Sequence, residues 1–402
     1  MSTPRIYKEA PPRIGHLMRA ITARNIDVLL AFKPEVTFLL TGFTPIIYSN
    51  PVIVIVAPDR DPILLVHALR DELAHTSPWV GDIRLYGTWS GRKPVGETWD
   101  AALRSILTEL GVSKGTVGIE ANFITLDLER RLKNALPDAR FTDISTMMSD
   151  CRFIKDEDQI ADARIAAKIA DVGINVAIEC LAAGDSEQNA SITAMHAMNK
   201  FWVANYPNCT VCSFGSLEGG QHNGLEVWVL SGFRKFLNCA APTARKPEIG
   251  ETVSVFVWAV ANGMRAEVER TVRVGTVADV ERAAIRAIYE IRMEVAGLMK
   301  PGVSAHTLYE AAHRGFEDHG YKDYLPGRIG HAIGLGNHED FSISAGSSSV
   351  LMPGTLITLE PHIQIPGVCA TQFSDTILIT AEGHEFLTSP PNDAELEIKP
   401  PI

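Results

Sequence analysis

Apolar residues recur at helical spacing over residues 14–24, and an apolar run follows at 26–32, with Asn25 as the break between them. Apolar, β-branched runs at 52–57 and 62–66 predict two further strands, separated by the turn-rich Pro58-Asp59-Arg60-Asp61-Pro62. Val117-Gly118-Ile119-Glu120 and a helical pattern at 126–136 complete the alternation, which closes near residue 150. Helices between short apolar strands predict a mixed sheet with helices laid on it. Longer helical patterns then occupy 156–183, 191–204 and 279–298. The first opens on Asp156-Glu157-Asp158, acids that suit the positive end of a helix dipole, and the last closes on Lys300-Pro301-Gly302. The pattern predicts an α+β protein of two domains, residues 1–152 and 153–402, the first of α/β type.

The sharpest local signal is a hairpin. Two β-type runs, 252–261 and 264–274, flank Asn262-Gly263, a pair that suits the left-handed backbone of a two-residue turn. Such a turn pairs Trp258 with Glu267 and Phe256 with Glu269. Period-two alternation then puts those four on one face and Val255, Val257, Ala266 and Val268 on the other. Burial of that face raises the pKa of at least one glutamate through desolvation and mutual repulsion. Arg265 and Arg270 offer a plainer alternative, in which the glutamates form surface ion pairs.

A second concentration of acid–base residues lies in 330–375. Gly330-His331-Ala332-Ile333-Gly334 allows close backbone approach on both sides of an imidazole. His338-Glu339 follows, and 354–359 is an apolar strand pattern that ends in Glu360 and is stopped by Pro361. His362, Ser374 and Asp375 complete the stretch. Taken alone, His331 reads equally as a satisfied core histidine; its spacing to His338 and Glu360 is what points to chemistry.

Composition narrows the partners. The 402 residues are 46% hydrophobic and 21% charged, enough apolar content for sizeable cores. A net charge of −11 without a basic run argues against nucleic-acid binding. No apolar run approaches the length of a membrane span, and residues 1–13 lack a signal-peptide core. Six cysteines in this length do not make a disulfide framework, so the expectation is a cytoplasmic protein with reduced thiols. Cys209-Thr210-Val211-Cys212 has CxxC spacing but no second pair, and is expected to serve as strand packing.

A string of motifs carries a family resemblance: Arg152-Phe153-Ile154-Lys155-Asp156 before a long helix, Ser231-Gly232, Glu267-Val268-Glu269-Arg270-Thr271, Lys300-Pro301-Gly302, Gly330-His331 with Gly334, His338-Glu339, and Pro353-Gly354 with Glu360-Pro361. In order and spacing the chain resembles the pita-bread family of Xaa-Pro dipeptidases, aminopeptidase P, methionine aminopeptidase and creatinase. The match is strong over 150–390 and looser in the N-terminal half, which resembles the creatinase/prolidase N-terminal domain. The resemblance implies a C-terminal pita-bread catalytic domain. The family's metallopeptidases hold two divalent ions on two Asp, a His and two Glu, and those positions fall here on Phe256, Glu267, His331, Glu360 and Ser374. Phe256 cannot ligate and Ser374 is a poor substitute for a bridging carboxylate, so no dinuclear centre is expected. A single ion on Glu267, His331 and Glu360 stays open.

Creatinase works without metal and, by resemblance, shares Glu269, Glu360, His331 and His338 with this chain. Its general acid/base histidine falls on Cys239, which is open to two readings, a thiolate nucleophile or a buried inert cysteine. Its carboxylate-clamping arginines have no counterpart around Ser49-Asn50-Pro51 or at Ser342, which makes creatine a poor substrate. Ectoine hydrolase and a sulfonium-propionate lyase also resemble this scaffold, so fold does not fix reaction.

The expectation is therefore a creatinase-like hydrolase that cleaves a C–N bond of a small amide or amidine without cofactor or metal. His331, His338, Glu267, Glu269 and Glu360 are its catalytic candidates, and Phe256, Trp258, Cys239 and Ser374 line its substrate site. A metal-dependent Xaa-Pro dipeptidase and a pita-bread pseudoenzyme acting as a binding module are the alternatives. The partners are a small molecule and, by resemblance to creatinase, a second copy whose N-terminal domain walls the pocket.

Overall fold

The computed structural model of the chain describes residues 12–76, 79–89, 91–215 and 222–399; residues 1–11, part of the segment read as lacking a signal-peptide core, lie outside them. The chain divides into two compact units, one of Met1–Arg152 with Ser213–His222, the other of Phe153–Cys212 with Asn223–Ile402. The sequence division assigns Ser213–His222 to the second domain. No apolar periodicity marks this Gly-rich, polar segment.

The first unit holds β1 (Val28–Ala31), β2 (Ile53–Val56), β3 (Ile63–His67), β4 (Asp82–Tyr86), β5 (Thr116–Ile119) and β6 (Arg140–Asp143) in a six-stranded sheet of order β4-β3-β2-β1-β5-β6. The β1–β2 and β2–β3 pairs are antiparallel and the remaining pairs parallel, the mixed sheet that the alternation predicts. Asn25, at the break between helix Pro12–Ala23 and β1, has φ of +52°, a left-handed turn that asparagine tolerates. Helices Trp99–Glu109 and Leu126–Ala135 start on the capping hydroxyls of Thr98 and Thr125, and bury Leu103, Ile106, Leu128 and Leu132 with Leu30 and Ile55.

The second unit is built on a nine-stranded sheet. Its elements are β7 (Glu226–Ser231), β8 (Thr252–Ala261), β9 (Met264–Val274), β10 (Arg328–Ala332), β11 (Glu339–Ser344), β12 (Leu356–Leu359), β13 (His362–Ile365), β14 (Cys369–Gln372), β15 (Ser374–Ile379), β16 (His384–Phe386) and β17 (Glu397–Ile398). The main path runs β11-β10-β12-β15-β9-β8-β7, with β16 on β15 and β17 on β9, while β13 and β14 form a separate ribbon. Two helix pairs cover the sheet. Helix Glu157–Ala182 starts in a capping box between Asp156 and Gln159, and with Glu187–Asn205 it buries one face of the hairpin: Val255, Val257 and Val268, plus Val227 and Val229 of β7. Helices Asp279–Gly297 and Ala305–Asp318 cover Ile329, Ile343, Ile357 and Ile377 at the other half.

The hairpin register is the one the sequence predicts. Trp258 lies opposite Glu267 and Phe256 opposite Glu269, with Asn262 at φ +47° and Gly263 at φ +85° in the turn. The surface-ion-pair alternative is overturned. Arg270 is 1% exposed and ion-pairs at 2.9 Å with buried Asp375, which also takes Arg292 and the Thr388 hydroxyl. Arg265 reaches the Leu335 carbonyl and Asn337. A guanidinium buried this deeply is tolerable only with such a full set of acceptors. The CxxC segment is likewise not a strand: Cys212 makes one isolated bridge to Asn223, and all six cysteines are free. No described helix is long and apolar enough to cross a membrane.

Candidate active site

The opposite face, even-numbered on β7 and β8 and odd-numbered on β9, is left uncovered by the helices and becomes the wall of a cavity of about 340 Å³. Cross-strand pairing arranges its side chains in two rows. One runs Glu226, Trp258, Glu267 and the next Trp228, Phe256, Glu269, Ser374. Glu360, at the end of β12, closes the floor, and His331, on β10, lies buried behind it. Gly330 is required there, because a Cβ at that position would stand 2.3 Å from the Thr358 carbonyl oxygen. The loop that follows is held from below. Buried Lys155 pairs with Glu339 at 2.7 Å, Glu339 accepts the Leu335 N–H, and a Cβ on Gly334 would meet both side chains.

Three acceptor atoms converge on the floor. His331 Nδ1 lies 3.1 Å from the Ala332 carbonyl, which places the ring proton on Nδ1 and leaves a lone pair on Nε2. Nε2 is 3.5 Å from Glu360 Oε1 and 3.8 Å from Glu267 Oε2, and has no hydrogen-bond partner. Glu267 accepts on both oxygens: the Trp258 indole N–H donates to Oε2 at 2.9 Å and the Ser374 hydroxyl to Oε1 at 2.7 Å. Glu269, 3% exposed, leaves Oε2 without a partner.

The environments separate the three carboxyls. Burial raises Glu267, while the Ser374 and Trp258 hydrogen bonds hold it down. Burial and then the charges of Glu267 and Glu360 push Glu269 well above the carboxylate range. Burial, then Glu267, lifts Glu360 to about 8, against a smaller opposing pull from Arg328. Burial depresses His331 to about 4, so the ring is neutral at physiological pH. Burial also lowers His338 and His362.

The seven residues Glu267, Glu269, His331, Glu360, Phe256, Trp258 and Ser374, singled out from the sequence, thus converge. His338 and Cys239 sit at the cavity's exposed rim, with the His338 ring 4.4 Å from that of His331. Exposure corrects the reading of Cys239 as a buried inert cysteine. It follows the short 3₁₀ turn Gly232–Leu237 in a left-handed stretch, with φ of +27° at Asn238 and +49° at Cys239. Sequence reading also missed Glu226 and Trp228, for which the alternation of Glu226-Val227-Trp228-Val229 was the available signal, and Arg328, which lies 3.5 Å from Glu360. Ser342 pairs with His331 on β11.

Comparison with known proteins agrees with this architecture. Residues 161–381 match metallopeptidase family M24 and residues 13–154 the creatinase/prolidase N-terminal domain. An uncharacterized peptidase of Staphylococcus haemolyticus is 25% identical over 376 residues, covering 94% of this chain and 98% of its own. Among solved structures, the Xaa-Pro dipeptidase from Bacillus anthracis superposes with a TM-score of 0.81 at 23% identity, over 95% of this chain and 98% of that one. The N-terminal domain of FACT complex subunit SPT16 from Cicer arietinum superposes with a TM-score of 0.70 at 16% identity, over 96% and 97%. A dipeptidase and a subunit of a complex therefore share this fold, and the chemistry has to be argued from the site.

Proposed function

The chain belongs to metallopeptidase family M24, and within that family we propose that it hydrolyses a C–N bond of a small amide or amidine by proton transfer between carboxyl groups. The observation that carries this is the state of Glu267. Each of its oxygens accepts one hydrogen bond, from Trp258 and from Ser374, in a site where two of the five family ligand positions are Phe256 and Ser374. Phe256 has no donor atom, and the Ser374 hydroxyl gives its proton to Glu267. This donor set does not fit two dications, which need several anionic oxygens between them.

The division of labour follows from the separated acidities. Glu267, stabilised as a carboxylate by two donors, accepts the proton of the attacking water. The water oxygen bonds to the substrate carbon, and as the C–N bond breaks Glu360 passes its proton to the leaving nitrogen. Glu269, held protonated by burial and by its acidic neighbours, donates a hydrogen bond to the substrate. Neutral His331 presents its Nε2 lone pair to the same space, and His338 stands at the rim to exchange protons with solvent. Phe256 and Trp258 exclude bulk water. Glu360→Gln tests the assignment, because it keeps the shape and removes the acid: turnover falls about 100-fold or more, and unchanged turnover contradicts the role.

A second reading has its own observation. One ligand atom from each of Glu267, His331 and Glu360 lies within 4.8 Å of the others, and His331 Nε2 is an orphan. Those residues fit one divalent ion, which when bound would polarise a scissile carbonyl and activate water. Under that reading the chain is a metal-dependent dipeptidase, cleaving the kind of substrate that the name of the Xaa-Pro dipeptidase from Bacillus anthracis describes. Elemental analysis separates the two. By resemblance to creatinase we further place the chain as a homodimer whose N-terminal domain walls the partner's pocket. Its six free cysteines support a cytoplasmic location, which cell fractionation tests.

A further inference from the structure

Glu226 and Trp228 line the cavity with no part in the hydrolytic chemistry, and we propose that with Trp258 they form a subsite for a positively charged nitrogen on the substrate. This rests on the proposed hydrolysis and specifies its substrate class: a small amide or amidine that carries, away from the reacting bond, a quaternary or protonated amine.

Glu226 and Trp228 alternate on β7, so both point from the sheet face that the helices leave open. Register sets Glu226 directly beside Trp258, whose other neighbour in the row is Glu267, so one indole stands between two carboxyl groups. The Trp228 and Trp258 rings meet at 4.6 Å and 54°, forming an aromatic corner, and the Phe256 ring lies parallel to Trp258 at 6.2 Å. Trp258 donates its N–H to Glu267, which pushes electron density into the ring and strengthens the attraction of its face for a cation. Glu226 lines the cavity half-buried, and among the described residues no hydrogen bond or ion pair engages its carboxylate. An acid in a partly dry aromatic wall with no protein partner is matched by a cation from outside.

Charge around the whole cavity agrees. Its described lining holds Glu226 and Glu267 as carboxylates, with Glu269 and Glu360 in the protonated form the hydrolysis assigns them, against Arg328 as the basic side chain of fixed charge, which faces Glu360. A substrate carrying net negative charge meets repulsion here, while an ammonium group finds π faces and a carboxylate together. A cation of the choline type fills an aromatic corner of this kind better than a neutral group of the same shape.

The test is binding of choline to the full chain against its neutral isostere 3,3-dimethylbutan-1-ol, read by titration calorimetry and tryptophan fluorescence. Choline is expected to bind about tenfold tighter, the size of a partly desolvated cation–π contact with an acid beside it. Glu226→Gln removes most of that preference, and Trp228→Phe weakens it and diminishes the fluorescence change; melting curves confirm that both variants fold. Equal affinity for the two probes, or a preference that survives in both variants, overturns the inference. Binding is read without turnover, so the two proposals fail separately. A chain that prefers choline but cleaves no amide keeps this subsite and loses the hydrolysis, and one that cleaves neutral amides with no preference for the cation does the reverse.

Discussion

At the residue scale the site is a set of acids that burial keeps from ionising together. Glu360 is the clearest case, lifted to about 8 from an ordinary 4.5 by desolvation and then by Glu267. A carboxyl whose folded-state pKa is raised adds stability fully present below its unfolded value and lost as pH rises through the folded one. With chelator present, the stability of the wild type relative to Glu360→Gln should therefore fall between pH 4.5 and about 8 and level off above it. Calorimetric melting of both proteins across that range checks this, and a pH-independent difference would contradict it. A cation held by Glu267, His331 and Glu360 would favour the ionised form and reverse the slope, so the same curves without chelator report on the second reading. Trp258 and Ser374 show why identity alone misleads at this scale. Ser374 stands where relatives have a ligand by resemblance, yet here its hydroxyl acts as a hydrogen-bond donor that fixes Glu267.

At the element scale, legibility depended on how local the determinant is. The β8–β9 hairpin could be read to the residue because Asn262-Gly263 sets the register and a strand's side chains alternate strictly. Strand β12 was legible for the same reason, an apolar run closed by Glu360-Pro361. Arg270 was misread because nothing local shows that its partners, Asp375 and the Ser374 carbonyl, arrive from a strand more than a hundred positions away. Glu226 and Trp228 were missed because β7 reaches β8 only across a long connection, so their face is decided by tertiary pairing. The glycine before His331 is a local determinant that can be tested. In Gly330→Ala the new methyl meets the Thr358 carbonyl oxygen at 2.3 Å, which forces β10 and β12 apart. Such overpacking costs about 1–3 kcal/mol. Denaturant unfolding should show that loss together with reduced turnover, because His331 moves with its strand; wild-type stability in this variant would contradict the close approach.

At the scale of the whole molecule, the two-domain architecture was legible from the switch between short apolar strands and long helices. Oligomeric state rests on resemblance alone. Sedimentation at micromolar concentration should give twice the chain mass of 43.8 kDa, and a monomer mass would contradict the pairing. The central claim concerns what handles protons in a fold whose family is named for metal. It is tested most directly by screening small amides, amidines and dipeptides with exhaustively chelated protein whose metal content is measured in the same sample. Full turnover at far below one ion per chain is the predicted result. Activity that vanishes on chelation and returns with manganese or cobalt would contradict it.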